Sequence, residues 1–587
     1  FQSIVSEWNR KRALADASLF LSTLKLGPLT AQKILKQYGF ATEELIRDNP
    51  YRLAEDIHGM GFSSADDVAA RLAISGDDPR RLRAAIRFEL GQARDDGHMG
   101  LPRNELVGRC VTLLEQPGAV INAAIDIVRD AGEIVLRNDD NQKPMVFEKG
   151  LDWVEQHLAD TLLRLCRVRL RRLEGDMDTV YQRQLGLTGL EPDPVQREAL
   201  DVLQTSPVFV ITGGPGTGKT TLVRLLLNAL SGIDVRLAAP TGRAAQRMTE
   251  AGGKEAATLH RLLEFVPATG RFNRHASRPL KTGAVVIDES SMMDAPLAAA
   301  LMRAIARGTR VILVGDVDQL PSVGPGRVLG DIIESGRIPV VRLNRIYRQA
   351  GNSMIVVNAH RIVKGQVPVL DHESSDFVFI EKDDPDAALD VIERLPERVA
   401  RHLGVSPVDD VQVLSPMHRG SLGVQNLNAV LRQKLNPGGQ PVPCAGEFRI
   451  GDKVMQIKNN YDSDVYNGDV GRIMGIDEEG RIRIRFGNRE IAYPPEAMDQ
   501  ITAAFACSIH KSQGSEYPAV IIPVHTQHFV MLRRQLLYTA VTRGKRMVVL
   551  VGSKKAIGIA VTNSHETERY SLLKQRLCKG SQSMNRG

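Results

Sequence analysis

A glycine-rich segment between an apolar run and a helical pattern is the strongest chemical signal in the sequence. It follows the apolar residues 208–211. Such a loop offers backbone N–H groups to phosphates at a helix start, where the helix dipole also favours negative charge. Lys219 can reach the β- and γ-phosphate oxygens, and the Thr220 hydroxyl can hold Mg²⁺. The sequence therefore predicts a nucleoside triphosphate site made by Gly213, Gly214, Pro215, Gly216, Thr217, Gly218, Lys219, Thr220 and Thr221.

Two adjacent carboxylates follow a second apolar run. Asp288 and Glu289 come directly after residues 284–287, 69 residues beyond Lys219 (288 − 219). We expect Asp288 to hold Mg²⁺ through water, and Glu289 to orient and deprotonate the attacking water. Gln319, after a further apolar run, is an amide that could sense the γ-phosphate. Together with the glycine-rich loop, these residues indicate Mg²⁺-dependent ATP hydrolysis.

The composition narrows the class of protein. The chain has 587 residues, enough for several domains, and 76 Lys and Arg against 69 Asp and Glu. A net charge of +7 favours a polyanionic partner such as nucleic acid. Five cysteines without a C-x-x-C pair argue against a disulfide framework, a zinc site or an iron–sulfur cluster, and fit a reducing cytoplasm. Neither a membrane helix nor a targeting signal is expected, and because the chain starts at Phe1 we expect missing sequence upstream.

From about residue 189, strands and helices alternate, and they must position the chemical groups. Buried strands are predicted at 208–211, 235–238, 284–287, 311–314 and 340–343, and again at 411–414, 518–522 and 546–551. Such alternation predicts parallel sheets with ligands at the carboxyl ends of the strands. Short alternating strands at 453–457, 471–476 and 481–486 predict a small β-barrel inserted into the second α/β domain.

The first 188 residues are predicted to be mainly helical. In 1–78, two glycine turns each precede a helix, as in tandem helix-hairpin-helix motifs whose N–H groups meet DNA phosphates. An all-α packing module without DNA contacts is the alternative. In 79–150, three helices before a two-stranded ribbon indicate a winged-helix-like region. Residues 151–188 are predicted to be connector helices, with a helix over 151–173 whose arginines form a solvated face.

Taken in order, the motifs between residues 189 and about 550 resemble helicase superfamily 1. Among its members they are most similar to RecD-like helicases, of the long, partner-independent type with an added N-terminal region. The resemblance implies an α/β fold with two RecA-like P-loop lobes, at 189–345 and at 346–440 with 501–587. It also implies an SH3-like β-barrel insertion at 441–500 and a mainly α-helical N-terminal region.

Further site roles come only from that resemblance. Gln196 would read the adenine, Tyr347 would stack on it and Glu516 would face the ribose. Arg348 and Arg543 would reach the γ-phosphate from the second lobe, so that hydrolysis becomes lobe motion. The residues expected to hold the DNA backbone without reading bases are Thr241, Arg243, His260, Asn460, His510 and Ser512.

Residues 265–280 carry Pro267 and Gly270 between aromatic residues, which predicts a short β-hairpin. It is either a wedge at the DNA fork or a surface loop of no consequence. With the 5′→3′ travel that the resemblance implies, the chain is expected to be a monomeric ATP-dependent DNA helicase acting on single strands and on single/double-strand junctions. Repair or recombination in a bacterial cytoplasm is the expected setting, with single-strand-binding or repair proteins as candidate partners.

Two other functions stay open at this point. One is a DNA-binding repair scaffold that uses ATP only as a conformational switch. The other is a motor subunit of a nuclease complex. The full set of predicted hydrolytic residues, Glu289, Arg348 and Arg543, argues against the scaffold. The extra N-terminal region and the short stretch after Arg543 favour a motor that works on its own.

Overall fold

The computed structural model describes residues 15–173, 177–188, 193–345, 353–370, 376–443, 446–460, 463–564 and 569–580. Tyr347 and Arg348, expected at the nucleotide, lie outside these residues. The chain forms two compact units. The first comprises Phe1–Glu155, Gly324–Gly326 and Tyr570–Gln575, and the second comprises Gln156–Val323, Arg327–Arg569 and Arg576–Gly587.

The first unit is a helical array with a three-stranded antiparallel sheet, in the order Leu101–Pro102, Pro144–Glu148, Ile134–Asn138. Its core runs from Phe20 to Val146, so the regions predicted at 1–78 and 79–150 share one core. The ribbon and the three helices predicted in the second region are present. Besides the helical residues 15–23, the helices described in this unit are Pro28–Tyr38, Thr42–Asp48, Arg52–Asp56, Phe62–Arg71, Pro79–Asp95, Arg103–Leu114 and Gly118–Asp130, with a 3-10 turn at Gly39–Ala41.

The helix predicted over 151–173 is observed as Lys149–Cys166 and therefore ends earlier than expected. A continued helix would place Arg167 and Arg171 one turn apart, and like charges at that spacing destabilise a helix. The backbone instead turns irregular, and the Arg310 Nη2 donates to the Arg171 carbonyl at 2.6 Å. The arginines from Arg167 to Arg172 are exposed, as expected of a solvated face, but they lie on irregular backbone rather than on a helix.

A six-stranded parallel sheet forms the first lobe of the second unit. Its strand order is Val340–Leu343, Val208–Gly213, Arg310–Gly315, Ala284–Ile287, Val235–Ala239, Ala256–Thr258. The central strands are buried on both faces, which explains their unbroken apolar runs. Its helices are Met177–Thr188, Pro194–Thr205, Lys219–Ala229, Gly242–Gly252, Leu259–Leu262, Ala295–Ala304 and Val328–Ser335, with a 3-10 turn at Ser290–Met292.

A five-stranded parallel sheet forms the second lobe. Its order is Phe377–Glu381, Gly544–Gly552, Tyr517–Val524, Val411–Ser415, Ala506–Ser508. The three central strands were predicted, whereas the two edge strands were missed. Its helices are Met354–Val363, Pro385–Leu403, Val424–Leu435, Arg534–Val541 and Lys554–Thr562, with 3-10 turns at His510–Ser512 and Thr526–Met531. The last helix among the described residues is Leu573–Lys579.

The insertion is a five-stranded antiparallel sheet. Its strand order is Arg489–Tyr493, Ile482–Phe486, Val470–Ile476, Lys453–Gln456, Ile501–Ala503, and a 3-10 turn, Pro495–Gln500, precedes the last strand. Burial alternates along Ile482–Phe486, as expected where one face packs on a core and the other meets solvent. The three predicted strands are present, and the final strand lies just beyond the predicted limit of 500.

One lysine in the insertion is buried against lobe 2. Lys453 is 2% exposed, its Nζ donates to the Val411 carbonyl at 3.2 Å and it lies 6.0 Å from the Tyr517 ring centroid. Burial lowers the pKa of Lys453 to about 8. Lys453 therefore holds its proton more tightly in the unfolded chain than in the folded one. Its buried charge lowers the free energy of unfolding by the full amount below about pH 8. This loss of stability shrinks as the pH rises further and is gone above the unfolded pKa, about 10.4.

Lys453→Met should therefore stabilise the protein. It keeps the apolar stem and removes the charge, which is expected to add up to about 3 kcal/mol at neutral pH. Thermal unfolding at pH 7 should show a higher midpoint for the variant, with a smaller difference at pH 9.5. Lys458→Met, at a lysine that is 57% exposed, is the matched control and should change little. An unchanged or lower midpoint at pH 7 for Lys453→Met would contradict the expected cost.

Within the part of the chain that the structure describes, no single helix has both the length and the apolar character to cross a membrane. Two neighbouring helices, Arg103–Leu114 and Gly118–Asp130, pass that test only as a pair, and they are bent by 115°.

Candidate functional site

The glycine-rich loop connects the strand Val208–Gly213 to the helix Lys219–Ala229, as predicted. Gly216 and Gly218 have φ of 70° and 85°, in the left-handed region that favours glycine. The Lys219 Nζ donates to loop carbonyls, at 3.0 Å in the case of Gly214. The loop is thus a backbone cradle at a helix N-terminus with a lysine folded across it, and this geometry suits a phosphate chain.

Close packing fixes the shape of that cradle. A Cβ at Gly213 would lie 2.7 Å from the Thr217 Oγ1 and 2.8 Å from the Leu343 Cβ, so no other residue fits there without movement. The Thr217 hydroxyl donates to the Gly214 carbonyl at 2.8 Å. Thr220, in contrast, is exposed and lines the neighbouring cleft, where its hydroxyl is available to a ligand.

The acid pair lies at the same sheet edge, with the strand Arg310–Gly315 between the two loops. Glu289 adopts φ 51° and ψ 38°, a left-handed conformation that is costly for a residue with a Cβ. Its N–H donates to the Asp288 Oδ1 at 2.8 Å. Strain of this kind is typical of residues whose side-chain direction matters more than local stability.

The pKa values of Asp288 and Glu289 shift in opposite directions. Burial, reinforced by the charge of Glu289, raises the pKa of Asp288 to about 6. For Glu289, burial acts in the same upward direction, but the positive charges of Arg247, Arg543 and Lys219 together outweigh it and hold the pKa below its usual range. A buried carboxylate with a raised pKa gains from a nearby cation, so Asp288 and the Thr220 hydroxyl form a donor set that fits Mg²⁺.

A cleft of about 370 Å³ joins these groups to the second lobe. The residues around it that carry charge or a hydroxyl are Lys219, Thr220, Arg224, Arg247, Glu250, Asp288, Glu289, Glu516 and Lys545. The Glu516 carboxylate contacts the Arg247 Nη1 at 2.7 Å and the Lys545 Nζ at 3.1 Å. Glu516 therefore lies on the side of the acid pair, and its expected role at the ribose stays a prediction.

Sequence reasoning missed Arg247. This residue lies one helical turn after Arg243 on the helix Gly242–Gly252, and its Nη2 contacts the Glu289 Oε1 at 2.9 Å. The i,i+4 spacing from a segment already assigned to DNA was an available signal. No comparable signal identified the two carboxylates that pair with it, because one of them, Glu516, belongs to the other lobe.

Two residues expected at the γ-phosphate are held by protein groups. The Gln319 Nε2 donates to the Asp316 Oδ2 at 3.0 Å, and the same oxygen accepts the Tyr538 hydroxyl at 2.6 Å. Arg543 is 2% exposed and donates to the carbonyls of Thr539 and Ser515, each at 3.1 Å. Both lie where the lobes meet, and their catalytic roles stay predictions.

The adenine-reading role of Gln196 is likewise untested. Gln196 lies in the first turn of the helix Pro194–Thr205, is 4% exposed, and follows an N-cap in which the Asp193 carboxylate accepts the Val195 N–H at 2.8 Å. The structure places it on a capped, rigid helix start. Tyr347, its expected partner at the base, lies outside the described residues.

Candidate DNA residues from both lobes meet near the start of the helix Gly242–Gly252. The Thr241 Oγ1 caps this helix by accepting the Ala244 N–H, and the Arg243 Nη1 donates to the Ser515 Oγ at 3.0 Å. A Cβ at Gly514 would come within 2.7 Å of the Thr241 Oγ1. The two predicted segments are thus in direct contact across the lobe boundary.

The insertion also contacts the start of the helix Gly242–Gly252. A Cβ at Gly242 would lie 2.7 Å from the Tyr466 ring, and a groove of about 610 Å³ separates this helix from the insertion's strands. Asp464 in the groove wall pairs with the Arg489 Nη1 at 2.6 Å and with the Arg261 Nη1 at 3.6 Å. Asn460, the predicted contact in the insertion, forms a backbone bridge with Val465 close to that wall.

The remaining DNA candidates differ in their access to solvent. His260 is half-buried and His510 is exposed. Partial desolvation lowers the pKa of both, and for His510 the charges of His418, Arg533 and Arg569 add to the effect. Ser512 is fully buried and its hydroxyl donates to the Ile509 carbonyl at 2.7 Å. The expected contact of this hydroxyl with DNA does not fit its placement, because a 3-10 turn directs it inward.

A hairpin is present in the predicted segment 265–280, but its paired strands end at Phe272. Phe265–Val266 pairs antiparallel with Arg271–Phe272, and Gly270 at the turn has φ 63°. The Phe265 and Phe272 rings lie 5.2 Å apart and both contact the His260 ring, at 5.4 and 5.7 Å. The turn residues 267–270 are exposed. The hairpin therefore has a packed aromatic base and a free tip.

The chain matches four family models. Residues 10–100 match the HHH domain of ATP-dependent RecD2 DNA helicases, and residues 427–486 match the SH3 domain of ATP-dependent RecD-like DNA helicases. An AAA domain matches residues 196–325, and the C-terminal domain of UvrD-like helicases matches residues 503–551. The matches follow the order of the first unit, lobe 1, the insertion and lobe 2.

Two relatives in sequence and one solved structure are similar to the chain. The chain is 31% identical to the ATP-dependent RecD2 DNA helicase of Deinococcus radiodurans, over 97% of this chain and 79% of that protein. It is 33% identical to the RecBCD enzyme subunit RecD of Mycobacterium tuberculosis, over 72% of this chain and 78% of that protein. A structure of Pif1 helicases at forked duplex DNA is 22% identical, covers 62% of this chain and 92% of that chain, and has a TM-score of 0.39.

Proposed function

The chain belongs to the RecD2-type family of ATP-dependent DNA helicases, and from that premise we propose that it travels 5′→3′ along single-stranded DNA and separates the duplex ahead of it. One observation carries the proposal most directly. The phosphate cradle and the acid pair face a cleft whose far side is built by lobe 2 through Glu516 and Lys545. Chemistry in that cleft is therefore placed to move one lobe against the other.

The residues divide the hydrolytic work. The loop N–H groups and Lys219 hold the phosphates, and Thr220 with Asp288 hold Mg²⁺, which when bound neutralises phosphate charge. Glu289 orients the attacking water and accepts its proton. Arg348 and Arg543 supply positive charge from lobe 2 as charge develops on the γ-phosphoryl group, and Gln319 senses that group. Gln196, Tyr347 and Glu516 position the nucleoside.

The DNA is held by its backbone rather than by its bases. Support comes from the contact of the two candidate segments at Thr241 and Gly514, and from the groove beside Arg243 and Arg261. His260, His510 and Asn460 complete this proposed path. A motor that steps along any sequence requires such base-independent contacts.

The direction of travel can be tested with tailed duplexes. In the presence of ATP and Mg²⁺, a partial duplex with a 5′ single-stranded tail should be unwound, whereas one with a 3′ tail of equal length and sequence should stay intact. A blunt duplex serves as the control for end opening. Faster opening from the 3′ tail would contradict the proposed direction without affecting the family assignment.

We further propose that the protein works in DNA repair or recombination, without a nuclease subunit. The match to the RecD2 relative covers 97% of the chain, including the HHH domain, whereas the RecD subunits match about 72% or less. Unwinding by the purified chain alone would support this proposal. A requirement for added subunits would restore the alternative of a nuclease-complex motor.

DNA-stimulated ATP turnover separates both motors from a repair scaffold that uses ATP only as a switch.

A further inference from the structure

Arg247 bridges the two lobes at the catalytic carboxylate. Its Nη2 contacts the Glu289 Oε1 at 2.9 Å, and its Nη1 contacts the Glu516 Oε1 at 2.7 Å. The three side chains are 25%, 12% and 33% exposed, so solvent screens these pairs only in part. The Arg247 Nε is buried and has no hydrogen-bond partner among the described residues. Both of the ion pairs are made by the outer nitrogens of one planar group.

The location of Arg247 connects it to DNA as well as to ATP. Its helix begins at the Thr241 cap, where lobe 1 contacts Gly514 of lobe 2. Glu516 follows Gly514 by two residues and is also paired with Lys545. A strand of DNA that shifts the loop around Gly514 would therefore move Glu516, and with it the second anchor of the Arg247 guanidinium.

We propose that Arg247 is a positioning residue that restrains Glu289 until DNA draws the guanidinium toward Glu516. While Arg247 is paired with the Glu289 Oε1, the carboxylate is held in one direction and is a weaker base toward water, because the charge-assisted hydrogen bond stabilises its ionised form. Movement of Glu516 with lobe 2 weakens that bond and frees the carboxylate. The inference rests on the proposed role of Glu289 and adds the element that makes hydrolysis depend on DNA.

Removing the charge of Arg247 should raise ATP hydrolysis in the absence of DNA. Arg247→Gln keeps a side chain of similar polarity, and the loss of one charge-assisted hydrogen bond is expected to raise the DNA-free kcat by about tenfold. The rate at saturating single-stranded DNA should change by no more than about twofold, so the stimulation ratio falls. Arg247→Lys retains the charge and should restore most of the ratio.

Hydrogen exchange of the nucleotide-free protein gives a readout that does not depend on catalysis. If Arg247 ties the loop of residues 508–517 to lobe 1, amides in that loop should exchange faster in Arg247→Gln, by about tenfold for the loss of one such bond. They should exchange at nearly the wild-type rate in Arg247→Lys. Arg236→Gln is the matched control, because Arg236 is an exposed lobe 1 arginine that also pairs with a carboxylate, that of Asp234.

The outcomes separate this inference from the proposed function. Equal losses of the DNA-free and DNA-stimulated rates in Arg247→Gln would indicate a merely structural residue and overturn the inference. Unchanged exchange in residues 508–517 would overturn it as well. If Glu289→Gln abolishes hydrolysis while Arg247→Gln leaves the DNA-free rate unchanged, only the role of Arg247 fails. Wild-type turnover in Glu289→Gln would remove the proposed function of Glu289 itself.

Discussion

Glu289→Gln should almost abolish ATP hydrolysis while leaving ATP binding intact. The change replaces the proposed base by an amide of the same shape, and loss of a general base costs about 10²–10⁴-fold in rate. The phosphate cradle is unaffected, because it is built from the loop of residues 213–221 on another strand. Phosphate release with saturating single-stranded DNA measures the first effect, and the affinity for a fluorescent ATP analogue measures the second.

Lys219→Ala provides the matched comparison. It removes the positive group folded over the cradle, so both nucleotide binding and hydrolysis should fall, whereas binding of single-stranded DNA should survive. The salt dependence of single-stranded DNA binding should also be unchanged, because the contacts with DNA phosphates are made by residues outside the nucleotide cradle. Turnover of Glu289→Gln at the wild-type rate would exclude Glu289 as the base. Loss of DNA binding in Lys219→Ala would show that the two sites are not separate.

Shortening the hairpin should uncouple unwinding from ATP hydrolysis. Separating one base-pair step costs only about 1.4 kcal/mol on average, so the free energy needed for strand separation does not limit unwinding. A rigid obstacle is needed to turn translocation into strand separation, and the exposed turn on a packed aromatic base has the required form. Replacing residues 266–271 by Asn-Gly keeps Phe265 and Phe272 but removes the tip. Unwinding should then fall by about tenfold or more, because translocation would proceed without separating the strands.

The controls identify what the hairpin does. DNA-stimulated ATPase and translocation on single strands should stay within about twofold of wild type, because the tip contacts neither the cradle nor the acid pair. Thr269→Ala, which changes the tip without shortening it, should unwind normally. Three unaffected activities would favour a surface loop of no consequence. An equal loss of unwinding, ATPase and translocation would instead indicate that the segment binds DNA or belongs to the core of the fold.

Sequence and structure agree best where the chemistry is local. The cradle and the acid pair were predicted because each occupies consecutive residues after a buried strand, and parallel strands align their carboxyl ends at one sheet edge. The pairing of Arg247 with Glu516 spans 269 residues (516 − 247) and two lobes. No periodicity encodes such a contact, because it depends on how the lobes pack.

The direction of individual side chains was also hard to predict. Ser512 belongs to a segment expected to contact DNA, yet its 3-10 turn buries it completely. Lys453 begins a strand whose four residues are all buried, because lobe 2 packs against it at Val411, and no pattern in the sequence marks that contact. The edge strands Ala256–Thr258 and Ala506–Ser508 were missed because three residues are too few for a pattern.

The strand order of the second lobe has a consequence for synthesis of the protein. Phe377 pairs with Val548, so a parallel edge strand must wait for a partner made 171 residues later (548 − 377). At about 5–20 residues per second, that interval lasts roughly 10–30 s. Lobe 1 has all six of its strands once Leu343 has been made. During translation the growing chain thus carries a lobe with all of its strands followed by β-strands that still lack a partner, and unpaired strand edges of this kind are open to misassembly.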